Sequence, residues 1–534
     1  MAIKDITRKS VHFWIYYGAL CLLVISLPSS RFFLTVSLIA LIVNWFAEGH
    51  IRERFMKFTA NRAAVAFTLI YLSYIVSLIW SVDLKYAIHH DLLHKSPTLF
   101  MPIILTTSQK LNVQKIRLLL FLFIASVLTV SFIGLSIRII HPNLPFREAS
   151  PFMPGIFLGL MLVLAAIQLP DLVRQVSRRR HHLLISLVLS AWLIFFLFYI
   201  RSLSGIASFT AVSVYLLFFV IKRLRSLFLK ALSATIFILL LLIIIWPLKN
   251  IYRQTHSEVE TDFATLEAYT VNGNRYLHDT TRIIRENGHL VYIYIADEEL
   301  CEAWNKRSEL DYHEDDLAGW ALKHTLYRYM SSKGLKKDKH DFNLLTDSDI
   351  RAIEEGIPNY LNLYRPGIFK RVYEEMMGLY IYRKSSYTNP TWGSLSKRID
   401  LWRASIHAFG KKPLFGWGIG SIIHAVDYGF NKNSSPLNSS PLIGLNLKPH
   451  NQYMYILLTQ GVVGLILLVF LYVYFIVKTK AWKILMFRIF VIIFAVNFLA
   501  NNSLEGQLGQ NLFVFFTFFY SFFYPQISLQ KHTT

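Results

Sequence analysis

The stretch LLISLVLSAWLIFFLFYIRSLSGIASFTAVSVYLLFFVI, Leu183 to Ile221, decides the fold. It contains two apolar runs, 183–200 and 203–221, separated only by Arg201 and Ser202. Each run is close to the ~20 residues that a helix needs to cross a bilayer core. A run apolar on every side has no polar face to offer water, so the pair reads as a transmembrane hairpin. The same reading extends to 11–28, 32–48, 63–81, 117–140, 152–169, 229–247 and 453–477, and to shorter or interrupted runs at 96–108, 485–500 and 511–525. The expectation is an all-α polytopic membrane protein with about 12 transmembrane helices.

Charge sets the orientation. The 534 residues are 54% hydrophobic and only 16% charged, yet carry a formal net charge of +22. Such a surplus would suggest nucleic acid if it were clustered on a soluble domain. It is not: residues 248–451 hold 26 Lys+Arg against 25 Asp+Glu, leaving 29 basic and 8 acidic residues of the 55 and 33 for everything else. The surplus lies between the apolar runs. With the N-terminus inside, the stretches 1–10, 48–62, 108–117, 169–182, 222–230 and 478–488 carry 22 Lys+Arg, including Arg178-Arg179-Arg180. The short outer connections carry five: Arg31, Lys85, Lys95, Arg147 and Arg201. By the positive-inside rule both termini are expected in the cytoplasm and the long loop outside. The expected organisation is helices 1–9 in 1–247, a large loop domain over 248–452 between spans 9 and 10, and helices 10–12 with a short tail in 453–534.

That loop is far longer than a connection requires. Helix signals run through it: an amphipathic Leu317–Ser332 followed by Gly334, Thr346 with Asp349 as a capping pair, Pro366 at a first helical position, and 392–409 with Ile399, Trp402, Ile406 and Phe409 on one side. A mostly helical extracytoplasmic domain is expected. Cys21 and Cys301 lie in the first span and the loop, so no disulfide framework is expected.

Several candidate sites reduce to structural readings. His90 and His94 are one helical turn apart but have no third ligand at metal spacing, and an interfacial helix explains them better. Gly416-x-Gly418-x-Gly420 follows a helix instead of a strand, which favours a tight turn over a dinucleotide loop. No ionisable residue falls in the middle of a span, which argues against an ion-coupled carrier. What remains is a set of basic groups at the outer face: Arg147, Arg201, Arg398, Arg403 and His450. Singly, each arginine reads as a headgroup anchor and the histidine as a polar cap. Together, planar guanidinium groups suit a lipid-linked diphosphate, and a neutral imidazole beside them suits proton abstraction from a sugar hydroxyl.

The residues then reach a known pattern: Ser396-Lys-Arg398-Ile-Asp-Leu-Trp402-Arg403, Pro413-Leu-Phe-Gly416-Trp-Gly418-Ile-Gly420, and His450-Asn451-Gln-Tyr-Met with Gly461 and Gly464. This resembles the C-terminal signature of the O-antigen ligase and O-antigen polymerase superfamily, most closely the ligases. The Arg201-Ser202 step with Gly205 resembles the family's arginine between two spans, although the usual spacing there is tighter. The resemblance implies a GT-C-like, metal-independent membrane glycosyltransferase of the bacterial inner membrane, with no cofactor. It implies transfer of a glycan from undecaprenyl diphosphate to a lipid A-core acceptor at the periplasmic face. His450 would then be the general base, and Arg201 and Arg398 would bind the donor diphosphate with Arg147 as a third member. Glu505 would position the acceptor or assist acid–base work, and Arg403 falls outside the positions that match. An O-antigen polymerase or protein O-oligosaccharyltransferase shares the signature with a different acceptor. A lipid-linked glycan flippase fits poorly, because its connections are generally short.

Overall fold

The computed structural model describes residues 8–141, 149–177, 179–384, 394–433 and 447–529. Among these, helices occupy every apolar run read from the sequence. They begin with α1 (Arg8–Ser29), α2 (Arg31–Glu48), α3 (Ile51–Ala60), α4 (Arg62–Val76), α5 (Leu84–Tyr86) and α6 (Leu93–Thr107). Then come α7 (Val113–Ile140), α8 (Gly155–Val176), α9 (Arg180–Tyr199) and α10 (Leu203–Arg223). Eight helices are long and apolar enough to cross a membrane, and 227–239 and 485–500 are shorter apolar helices. The helix starts are locally encoded. Ser30, Asn61 and Asn112 each turn a side-chain oxygen onto a backbone N–H three residues on, satisfying donors that the first turn leaves unpaired.

α11 (Leu227–His256) carries the apolar run 229–247 and ends inside the loop region, which continues through α12 (Asp297–Asn305), α13 (Leu322–Ser332), α14 (Lys339–Phe342), α15 (Asp347–Glu354) and α16 (Gly367–Lys384). A two-residue hairpin, β1 (Arg285–Glu286) against β2 (His289–Leu290), precedes α12. Thr346 and Asp349 form a reciprocal capping box on α15, as their spacing predicts, and Pro366, expected at the first helical position, lies one residue before α16. α13 starts at Leu322 and not at Leu317. Asp316 accepts from the N–H groups of Ala318 and Trp320, and this side-chain turn holds the preceding residues outside the helix. The chain closes with α17 (Ser394–Lys411), α18 (Ile422–Asn433), α19 (Gln452–Thr479), α20 (Leu485–Ala500), α21 (Gln507–Phe518) and α22 (Tyr524–Leu529).

The described residues fall into two compact units. The first draws on Met1–Arg223, Leu401–Ser434 and Gly444–Thr534, and the second on Leu224–Asp400 and Ser435–Ile443. The stretch from Leu401 to Asn451, read in the sequence as the end of the loop, therefore packs with the helical bundle wherever it is described. The first unit's core is aromatic at the meeting of α4, α19 and α21, where Phe67, Phe475 and Phe518 lie 5.1–5.3 Å apart. Its outward residues are also apolar: Val43, Phe121, Val188, Phe218 and Phe470 are each more than half exposed, as a lipid-facing surface requires.

The second unit has its own core around Trp304, Tyr312, Tyr329, Phe342 and Tyr373. It also buries charge. Arg328 pairs with Glu286 at 2.6 Å, and Tyr373 and Asn359 donate to the same carboxylate. The Lys337 ammonium lies 3.1 Å from the carbonyl oxygens of Leu290 and Ile293, and burial pulls its pKa down to about 7. Cys21 and Cys301 are both free thiols.

Candidate active site

The glycine-rich turn is a packing device. After α17 the chain reverses at Pro413, and Gly416 and Gly418 take positive φ values of 70° and 92°. α19 is broken at Gly461, whose φ of 67° and ψ of −168° lie in a region essentially reserved for glycine. The break frees backbone groups, and the turn engages them. Trp417 N–H donates to Leu458 O at 2.7 Å and Gly418 N–H to Thr459 O at 2.9 Å. In return Val462 N–H donates to Pro413 O at 2.9 Å and Val463 N–H to Leu414 O at 3.1 Å. Irregular backbone at membrane depth is tolerated only when its polar groups are paired in this way. A Cβ on Gly416 would stand 2.6 Å from Leu458 O, and one on Gly420 would stand 2.0 Å from Asp83 O. Backbone fills the space that a dinucleotide phosphate would need, so the turn reading of this motif holds.

The broken helix presents His450 at its start. His450 is exposed and adopts φ 48°, an uncommon backbone for a residue with a Cβ. Each neighbour is tied down. Pro449 O accepts from Trp402 Nε1 of α17 at 2.8 Å. Asn451 caps α19 by accepting from Met454 N at 3.0 Å and donates to Leu499 O, near the end of α20, at 3.0 Å. Gln452 is buried, donating to Glu505 Oε1 at 2.8 Å and accepting from Leu504 N at 2.9 Å.

Arg201 is the second residue at this end with a strained backbone, at φ 51°, in the short step between α9 and α10. Ser202 beside it donates to Gly155 O at 3.1 Å, fixing the step to the start of α8. Ser208, five residues into α10, donates to Ile493 O, seven residues before the end of α20, at 3.2 Å. Those offsets correspond to about 8 and 10 Å of helix. The Arg201 step and the Asn451–Leu499 contact therefore occupy the same end of the bundle.

The other expected residues fall as follows. Arg403 is exposed on α17, next to Trp402. Arg398 is half-buried on the same helix, within its portion that belongs to the second unit, where the Tyr382 hydroxyl donates to Asp400. Arg147 lies outside the described residues. Glu505 is 5% exposed, with one carboxylate oxygen on Lys95 and the other on Gln452.

That pairing corrects the sequence reading of Lys95. Counted among the charges of the short outer connections, Lys95 lies on α6 and is wholly buried, with Asp91 4.0 Å away and the rings of Tyr74 and Tyr455 at 5.0 and 5.4 Å. Asp91 is equally buried and accepts from Tyr455 Oη at 3.1 Å. The available signal was the four-residue spacing of an acid and a base entering an apolar run. Trp402 was quoted in the signature, but its bond to Pro449 is a tertiary contact. In the second unit, Asp338, His340 and Asp341 bring ligand-type atoms within 4.8 Å, a grouping not foreseen from the sequence. Asp338 caps α14 by accepting from Asp341 N at 2.8 Å and also accepts from the Tyr276 hydroxyl, while Asp341 accepts from Lys336 N at 2.7 Å.

Residues 356–469 match the family model described as O-antigen ligase. The match makes this stretch similar to an O-antigen ligase domain. It runs from Gly356, just after α15, to Val469 within α19, and includes Arg398, Trp402, Arg403, the glycine-rich turn, His450 and the Gly461 break. The matched stretch thus contains the left-handed histidine and the Trp402 tether that holds it from α17. Leu499 and Glu505 come from beyond the matched residues, and Arg201 and Lys95 precede them. No curated protein matches the chain.

Proposed function

We propose that this protein is an O-antigen ligase, transferring a glycan from undecaprenyl diphosphate to a lipid A-core acceptor at the periplasmic face of the bacterial inner membrane. The observation that carries the reading is His450. It is held in an uncommon backbone conformation between tethered neighbours, inside the stretch that matches the O-antigen ligase family, at the end of the bundle where Arg201 is also strained. Strain of this kind persists only where the surroundings over-determine it, and it concentrates at functional sites.

In this mechanism the acceptor hydroxyl oxygen attacks the anomeric carbon of the donor sugar as the bond from that carbon to the phosphate oxygen breaks. The hydroxyl proton passes to the His450 imidazole, and undecaprenyl diphosphate leaves with the bonding electron pair. Direct displacement inverts the anomeric centre. Arg201 and Arg398, with Arg147, hold the diphosphate and take up its developing charge. Fixed cations placed where charge appears in the transition state can do this without reorganising. Arg403 and Glu505 are accessory: Arg403 on the exposed face of α17, and Glu505 through Gln452.

The test is genetic. A null strain should still make undecaprenyl-linked polymer while its lipid A-core stays bare, and the wild-type chain should restore the lipopolysaccharide ladder. Loss of chain elongation, with single repeats still attached, would refute the ligase and point to an O-antigen polymerase. Transfer by the purified protein should survive chelation. Loss of activity with chelator and recovery with magnesium would refute the metal-free step.

A further inference from the structure

A buried charge in a transmembrane bundle is costly, and a buried ion pair is weak evidence for added stability. The Asp91–Lys95–Glu505 cluster therefore calls for a purpose other than holding helices together. Lys95 has no exposed surface, nor does Asp91, and Glu505 has almost none. The cluster sits where the helix carrying it is irregular: a π turn, Ala87–Leu92, runs into α6, and Tyr71 Oη donates to Leu92 O at 3.3 Å. π turns recur at functional positions.

The polar connections leaving the cluster reach one place. From Lys95 Nζ the path runs to Glu505, from Glu505 Oε1 to Gln452 Nε2 at 2.8 Å, and from Gln452 Oε1 back to Leu504 N at 2.9 Å. Gln452 is the first residue of α19, two positions after His450. The helix that carries Lys95 also holds the Glu505 segment from the other side. Thr98 donates to Gln510 at 2.9 Å, and Gln510 donates to Leu504 O at 2.8 Å. Asp91 holds Tyr455 one turn further along α19.

We propose that Lys95 is a positioning residue for His450, acting through Glu505 and Gln452 to hold the start of α19 so that the imidazole stays at the acceptor hydroxyl. This deepens the ligase reading and rests on it for the identity of the reaction. The physical content is separate: Lys95 holds the Glu505 carboxylate in place, and the carboxylate fixes the Gln452 side chain against the left-handed turn. Without Lys95, two carboxylates share a buried site, and the Glu505–Gln452 contact is the one that yields.

The first experiment is independent of the reaction. In a full-length chain with Cys21→Ser and Cys301→Ser, His450→Cys is labelled with a membrane-impermeant methanethiosulfonate, and His141→Cys serves as an exposed control. Adding Lys95→Met should change the labelling rate at position 450 at least threefold and leave position 141 unchanged. An unchanged rate at 450 in a variant that still inserts and elutes as a monodisperse species would overturn the proposal, whatever the protein catalyses. If Lys95→Met fails to insert, Lys95→Met with Glu505→Gln carries the test. That pair leaves Asp91 as the cluster's single carboxylate, so two carboxylates no longer share the site, and keeps an amide oxygen at position 505 for Gln452; labelling at 450 should return to within twofold of the parent.

In the native background, Lys95→Met should lower kcat more than tenfold while donor KM stays within twofold, and the double variant should regain at least a third of the lost rate. A parallel loss in both variants would overturn the route through Glu505. Altered labelling in a chain that never transfers glycan to lipid A-core would support the positioning role and count against the ligase alone.

Discussion

Gly461→Ala tests the architecture of the site most directly. A Cβ at this position would stand 2.1 Å from Leu414 O and 2.6 Å from Phe415 N, both backbone atoms that no rotamer change can move. The conformation itself, φ 67° and ψ −168°, costs a residue with a Cβ about 1–3 kcal/mol. Relieving the clash separates Leu414 from α19, and with it go the bonds from Val462 N to Pro413 O and from Val463 N to Leu414 O. At about 1 kcal/mol net for each, the total reaches about 3–5 kcal/mol. The comparison is Gly410→Ala on α17, where a Cβ meets nothing within 4 Å and φ is not positive. There alanine should be neutral or stabilising by about 0.5–1 kcal/mol, because it restricts the unfolded chain. The assay is the apparent Tm of the purified full-length protein in detergent, scanned at one rate for both variants. Gly461→Ala should melt about 6 °C or more below the parent, while Gly410→Ala should melt at or slightly above it. Equal shifts in the two variants, or a Gly461→Ala protein melting with the parent, would refute the account of the glycine-rich turn as a backbone clasp on a broken helix.

Three further outcomes rest on the same geometry. His450→Gly relieves a left-handed backbone while removing the imidazole, so transfer should vanish as Tm holds or rises; a normal lipopolysaccharide ladder in a null strain carrying it would dismiss the general base. Trp402→Phe keeps an aromatic ring but loses the 2.8 Å bond to Pro449 O, worth about 1 kcal/mol, and should slow transfer about tenfold with a Tm change of only a few degrees. Equal activity in that variant would show that His450 does not depend on this tether. Lys337 gives a pH signature: its folded pKa is about 7, while the unfolded value is the ordinary 10.5. Above pH 7 the unfolded chain binds a proton that the folded form has released, so the second unit should gain about 2 kcal/mol of stability between about pH 7 and 9. Melting followed by fluorescence of the buried Trp304 should show the rise in the parent and a flatter profile in Lys337→Met; parallel profiles would contradict it.

Features encoded over a few residues were legible from the sequence. The Thr346–Asp349 capping box, Pro366 ahead of α16 and the helical runs all depend on neighbours in the chain, so periodicity and spacing are enough to locate them. The turn at Gly416–Gly420 was also recognisable as a turn, though the partner that demands its glycines, the break at Gly461, was visible only as a separate glycine. Helix starts were less secure. α13 begins at Leu322 because Asp316 captures the N–H groups of Ala318 and Trp320, a local competition that amphipathic spacing does not register.

The sequence by itself determined a membrane protein: long runs with no polar face have no stable place in water. It also contained the signature around Arg398 and His450, because that pattern is contiguous. Tertiary structure alone decided what Lys95 is. Lys95 and Glu505 are 410 residues apart, and each taken singly is an ordinary charge near the end of an apolar run. Whether such a charge faces water or a buried partner depends on which helices pack together. That packing removed Lys95 from the outer surface and linked it, through Glu505 and Gln452, to the turn that holds His450.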